Sequence, residues 1–163
     1  FAEDLKEFLD GRSTTRCPLL GFSDGGNIAL MFAPKYPEYV EKLILNGADL
    51  CPSGVKLTTQ LPIVLGWGMC RVPALFSRKA RANWEMLDLM VTQPHIPTEA
   101  LARLLMPAGE QDMIREGHTR AIAAAIPDSR LAILPGDHFV ARRNWQTFNP
   151  LVLDFLLDGA QTP

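Results

Sequence analysis

The chain of 163 residues carries 16 Lys and Arg against 18 Asp and Glu, a net charge of −2, and is 47% apolar, which fits about one globular domain able to bury a core. Without a broad cationic field, neither nucleic acid nor an anionic membrane surface is indicated as a partner. Cys17, Cys51 and Cys70 are odd in number and contain no C-x-x-C pair, so they read as free thiols in a reducing, cytoplasmic setting rather than as a disulfide framework or zinc site.

The first segment, FAEDLKEFLD, is acidic and amphipathic rather than a secretory leader. Phe1, Leu5, Phe8 and Leu9 form a stripe at helical spacing that needs a surface to cover, and the chain starts at Phe rather than Met, so sequence upstream is expected. After the loop GRSTTR, the residues Cys17, Leu19, Leu20 and Phe22 suit a short buried strand. Gly21, Ser23 and Gly25 then spell G-x-S-x-G, a sharp turn in which residues without side chains let a serine project. A helix follows from about Asp24 to Lys35, with Pro34 bending its last turn and Tyr36-Pro37 ending it. Val40, Leu43, Ile44 and Leu45 form the next strand, closed by Asn46-Gly47, which completes a parallel βαβ unit.

Residues 50–105 change character, with clustered Pro, Trp, Met and Leu. They read as a mostly helical cap inserted into a core made of 1–49 and 106–163. Its basic residues Arg71, Arg78, Lys79 and Arg81 are either a solvated helix face or a grip on an anionic substrate. Trp67, Met69, Trp84 and Met86 either pack a core or line an apolar pocket. The run LPIVLGWGMC, Leu61 to Cys70, falls short of the ~20 residues of a membrane span and reads as a buried or lid segment.

The βα rhythm returns with LLMPAGEQD, a helix over Ile114 to Ile126 stopped by Pro127-Asp128, and a strand over Leu131 to Leu134 that leads into PGDHF. A last helix carries Phe148, Leu151, Val152, Phe155 and Leu156 on one face. This alternation predicts an α/β fold: a mostly parallel sheet flanked by helices, with ligands at the carboxyl ends of its strands.

Ser23, Asp112 and His138 each follow the end of a predicted strand. A serine hydroxyl needs a base to take its proton, and an imidazole can do so when a carboxylate orients it. Asp137 and Glu110 are the other candidates for the acid, although Asp137 adjoins His138 and neighbours in an extended loop point apart. His95 and His118 have no partner at suitable spacing, and His118 falls in a predicted helix where a surface or packing role is expected. No helical His pair or carboxylate cluster marks a metal site.

The segments GFSDGG at 21–26, AGEQD at 108–112 and LPGDHF at 134–139 resemble the nucleophile elbow, acid turn and histidine loop of the α/β-hydrolase family. The GFSDGG form is similar to that of serine hydrolases cleaving biphenyl ring-fission products. The resemblance implies a cofactor-independent serine hydrolase acting on a carboxylic ester or similar acyl substrate. In it Ser23 attacks, His138 moves the proton, Asp112 holds His138, and the backbone N–H of Asp24 donates to the oxyanion. Carbon–carbon bond hydrolysis and perhydrolysis use the same triad.

Two departures from the family bear on activity. Its second oxyanion donor lies upstream of the elbow, where only 22 residues precede Ser23, and the strand before Asp112 reads as shortened. The resemblance therefore implies an N-terminally truncated hydrolase, with an impaired, binding or partner-associating role as the alternative. An unpaired sheet edge is expected to pair with a second copy as a homodimer.

Overall fold

In a computed structural model the described residues are 1–92, 101 and 103–158. Four strands, β1 (Cys17–Phe22), β2 (Val40–Asn46), β3 (Leu104–Gly109) and β4 (Arg130–Leu134), lie side by side in that order, and every pair is parallel. Parallel neighbours need crossovers. Here α2 (Asp24–Lys35) joins β1 to β2, a longer excursion through α3 (Leu57–Arg71) and α4 (Arg78–Thr92) separates β2 from β3, and α5 (Glu116–Ala125) joins β3 to β4. The chain opens with α1 (Ala2–Gly11) and continues after β4 with α6 (Val140–Arg143) and α7 (Trp145–Leu157).

Side chains alternate across a strand, so β2 and β3 feed two cores at once. Leu43, Leu45, Leu104 and Met106 pack with Ala29, Leu30 and Ala33 of α2 and Ile122 and Ala123 of α5. Ile44, Leu105 and Leu134 face the other way, against Val140, Phe148, Val152 and Phe155. At the β1 edge Leu20 is exposed. Next to it α1 rests on α2 through a Lys35–Glu3 ion pair and through Tyr39, which donates to Asp10. Of the amphipathic stripe of α1, Leu9 is buried, whereas Phe1 and Phe8 remain exposed.

The strand ahead of Asp112, read as shortened, is β3, which has six residues, all buried. Within it Pro107 has no N–H to give a ladder. The β2–β3 pairing accordingly covers Leu43–Leu104 and Ile44–Leu105, and further along the Asn46 side-chain amide donates to the Pro107 carbonyl at 3.2 Å. Leu104 and Leu105 therefore belong to the sheet and not to the inserted segment. Of the two readings of Leu61–Cys70, a buried or a lid segment, the first does not hold, since the run lies in α3 and no residue of that helix is buried. Finally, α5 starts at Glu116, because Ile114 is used in an isolated antiparallel bridge to Val55.

One polar feature of the core carried no sequence signal. Lys42 of β2 is buried, and its ammonium donates to the carbonyls of Phe155, Leu156 and Asp158 at 2.9, 2.7 and 2.6 Å. A helix end leaves its last carbonyls without intrahelical donors, and a cation there also complements the dipole. Lys42 thereby ties the end of α7 to the middle of the sheet. Replacement by Met keeps the apolar stem but strands these acceptors, and we expect Lys42→Met to destabilise the fold by about 1–3 kcal/mol in urea titration; an unchanged midpoint and slope would show that the contact is dispensable.

Candidate active site

Ser23 stands between β1 and α2 with φ 52° and ψ −121°, a conformation that a non-glycine residue adopts only when its surroundings enforce it. Its N–H donates to the Asn46 carbonyl at 2.9 Å, and its own carbonyl accepts from the N–H groups of Gly26 and Asn27, so both sides of the turn are fixed. The enforcing contacts are close. A Cβ on Gly21 would come within 2.5 Å of the Gly25 carbonyl oxygen, and one on Gly26 within 2.7 Å of the Ala48 Cβ. Gly25, the last glycine of the G-x-S-x-G pattern, meets nothing at that range. The two glycines that the turn requires are thus Gly21 and Gly26. Because α2 starts at Asp24, the N–H groups of Asp24 and Gly25 have no intrahelical acceptor and lie at the positive end of the dipole.

Asp112 and His138 come from the loops after β3 and β4. These loops are laced together: the Glu110 N–H donates to the Leu134 carbonyl at 3.0 Å and the Gln111 N–H to the Gly136 carbonyl at 2.9 Å. Both side chains are buried, and His138 Nδ1 lies 2.8 Å from Asp112 Oδ1. A carboxylate can only accept, so Nδ1 holds the hydrogen and Nε2 is left with its lone pair. Oδ1 also accepts from the Ile114 N–H at 3.1 Å, whereas Oδ2 is buried without a partner. The ring is held from other sides. Phe22 packs against it with centroids 4.9 Å apart, and Gly47, at φ 68°, passes so near that a Cβ there would sit 2.5 Å from His138 Cε1.

Ser23 and His138 line one small cleft of about 60 Å³, together with Asp24, Asn27, Gly47 and Asp49. Among the described residues no hydrogen bond joins Ser23 to His138; such bonds commonly tighten only in the substrate complex. From α3 and its preceding turn, Val55, Thr59, Gln60 and Ile63 close the cleft above the strand ends. The other acid candidates lie apart: Asp137 pairs with Arg143 and accepts from the Phe139 N–H, and Glu110 is exposed. His118 accepts from the Leu50 N–H at 3.1 Å, tying α5 to the loop after β2. Of the four residues read as pocket or core, Met69 is exposed and Trp67 donates to Asp88 at 2.8 Å, while Trp84 Nε1 is buried without a partner. His95 and the side chain of Met86 fall outside the described residues.

Sequence reasoning passed over Asn27 and Asp49. The Asn27 amide donates to Asp49 Oδ1 at 3.0 Å, and its oxygen accepts from the Asp49 N–H at 2.9 Å, which closes a ring between α2 and the loop after β2. Burial holds the Asp49 carboxyl above the ordinary carboxylate range, with the Asn27 hydrogen bond pulling the other way. An Asp two residues after Asn-Gly looks like turn chemistry in the sequence, and nothing local places it beside an elbow 26 positions upstream. Among the described residues no three His, Cys, Asp or Glu side chains converge as a metal site would require.

No family model matches the chain. The human serine hydrolase BPHL is 30% identical over 95% of the chain and 60% of its own length, and the mouse protein is 28% identical over the same shares. The chain thus spans about three fifths of these curated relatives. A 2-hydroxy-6-oxononadienedioate/2-hydroxy-6-oxononatrienedioate hydrolase of Comamonas testosteroni is 26% identical over 97% of the chain and 68% of its own length. Among solved structures, a hydrolase from Pseudomonas aeruginosa superposes with TM-score 0.71 at 24% identity, covering 95% of this chain and 70% of that one. The meta-cleavage product hydrolase CumD of Pseudomonas fluorescens gives TM-score 0.70 at 18% identity, over 96% and 70%. In sequence the chain is similar to these named hydrolases, and its fold is that of the α/β hydrolases.

Proposed function

We propose that the chain is the part of a serine hydrolase that carries the nucleophile, its base and the orienting acid, acting on a carboxylic ester or similarly activated carbonyl. One observation carries this reading: the buried 2.8 Å hydrogen bond from His138 Nδ1 to Asp112 leaves Nε2 as an acceptor on the cleft that Ser23 also lines. In the reaction, Nε2 takes the Ser23 hydroxyl proton as Oγ adds to the substrate carbonyl carbon. The tetrahedral oxyanion accepts from the Asp24 N–H at the start of α2, where the helix dipole adds to the hydrogen bond. His138 then returns the proton to the leaving group, and a water deprotonated by the same nitrogen splits the acyl-enzyme to acid and free Ser23. Asp112 keeps the ring in the right tautomer and stabilises its charged form.

The reading is supported by the kinship with named hydrolases and by the enforced backbone of Ser23, which a merely structural turn would not need. The test is turnover of an activated aryl ester by the purified chain. Ser23→Ala is expected to lower kcat by at least about 10³-fold and Asp112→Asn by on the order of 10⁴-fold, with the fold intact by circular dichroism. Turnover unaffected by Ser23→Ala contradicts the reading, and no turnover by a folded chain favours a binding role instead. His138→Ala removes the base and should lower kcat by at least about 10³-fold, whereas an undiminished rate removes His138 from that role. Gly47→Ala should push the ring aside, and at least a tenfold loss of kcat with little change in KM is expected; full activity would show that the ring does not need that clearance.

A further inference from the structure

Although the net charge of the chain is −2, its charges are not evenly spread. Between Asp49 and Glu85 there is no acidic residue, while Lys56, Arg71, Arg78, Lys79 and Arg81 all fall there. This is the segment that forms α3, the short connection after it and the start of α4. Lys56 stands just before α3, Arg71 ends it, and the other three open α4, so the cations sit at both ends of the helix. Among the described residues none of Arg71, Arg78 and Lys79 pairs with a carboxylate.

The helix between them is largely apolar beyond its first turn, which calls for cover on more than one side. Two sides have it. Thr59, Gln60 and Ile63 line the cleft, and Gly66 and Trp67 pack on α4 against Leu87 and Asp88. The third side does not. Leu57, Leu61, Val64, Leu65 and Met69 form one stripe, and all are exposed, Met69 to 78%. The stripe continues past the helix through Val72, Leu75 and Phe76, the last 85% exposed. An exposed apolar ridge of this length marks a contact surface.

We propose that this face docks on an anionic lipid bilayer, the stripe entering the headgroup boundary and the cations at both ends meeting lipid phosphates and carboxylates. Charge complementarity selects this occupant: a helix in the plane of the interface, with Leu and Phe buried and Lys and Arg beside them, has the composition that binds anionic surfaces. Between Leu57 and Met69 the single exposed polar side chain is Thr58, so directional hydrogen bonding to a protein partner is nearly absent along the stripe, whereas a bilayer needs none. No helix of the described residues is long and apolar enough to cross a membrane, so the contact is lateral. It also places the cleft-lining side of the same helix directly behind the docked face, where an apolar acyl substrate would arrive from the lipid.

The experiment is vesicle flotation of the full chain, using phosphatidylcholine alone and phosphatidylcholine with about 30 mol% phosphatidylserine. Binding to the mixed vesicles is expected to be at least tenfold tighter than to the neutral ones and to weaken as salt rises. Arg78→Glu with Lys79→Glu should cost at least tenfold, since each cation near such a surface contributes on the order of fivefold. Leu65→Asp with Met69→Asp, both exposed and so harmless to the fold by circular dichroism, should abolish flotation. Failure of the wild-type chain to float, equal binding to both vesicle types, or undiminished binding by the folded variants would overturn the proposal. A dimer in sedimentation that Leu65→Asp dissolves, without any flotation, would equally overturn it and assign the face to a second copy. Ester turnover by Ser23 is measured separately in solution, so failure here leaves that reading intact.

Discussion

Everything at the site depends on how closely β1 and α2 approach. The Gly21 and Gly26 positions admit no Cβ, and this lets the chain reverse from strand to helix in one residue with Ser23 at φ 52°. Holding a serine in that region costs on the order of 1–3 kcal/mol, and the surrounding sheet must enforce it. It does so through Asn46, whose carbonyl holds the Ser23 N–H and whose amide reaches across to Pro107. One side chain of β2 thus links the elbow to the strand that carries Asp112. A strained elbow, a broken ladder and a buried amide are parts of a single arrangement at the carboxyl ends of the strands.

The polar groups of the core follow the same economy. Buried polar atoms stay only where they are paired, and the described ones mostly are: Lys42 with three carbonyls, Asn27 with Asp49, Asp112 with His138. Each pair joins elements far apart in sequence, so each fixes the relative placement of helix and strand as well as satisfying hydrogen bonds. The unpaired Oδ2 of Asp112 and Oδ1 of Asn46 both belong to residues beside the cleft. Structural pairing and the geometry of the proposed chemistry are carried by neighbouring atoms of the same loops.

How much of this could be read from the sequence varied with the range of the interactions. The strands over Val40–Asn46 and the helix over Asp24–Lys35 were legible because their apolar period and their terminating Asn-Gly and Tyr-Pro pairs are local. Ser23, Asp112 and His138 could be singled out because each follows a strand end, and in a parallel sheet those ends lie together. The sequence preferred Asp112 over Asp137 as the partner of His138, and in the structure Asp137 turns toward Arg143. Lys42, Asn27, Asp49 and the clearance at Gly47 were invisible, since each owes its place to residues 20 or more positions away. Proline ordinarily excludes a central strand, and at Pro107 a side-chain amide stands in for the ladder. A total charge of −2 averages an acid-free stretch of 35 residues with an acidic remainder.

The central claim is that Ser23 faces a base oriented by Asp112 within one cleft. Peptide mapping after reaction with a fluorophosphonate tests it most directly, because the reagent bonds only to a hydroxyl whose proton is being taken. The account predicts a single phosphonylated residue, Ser23, formed at least about 10³ times more slowly in His138→Ala. Modification of another residue, no modification of a folded chain, or a rate indifferent to His138 would contradict it.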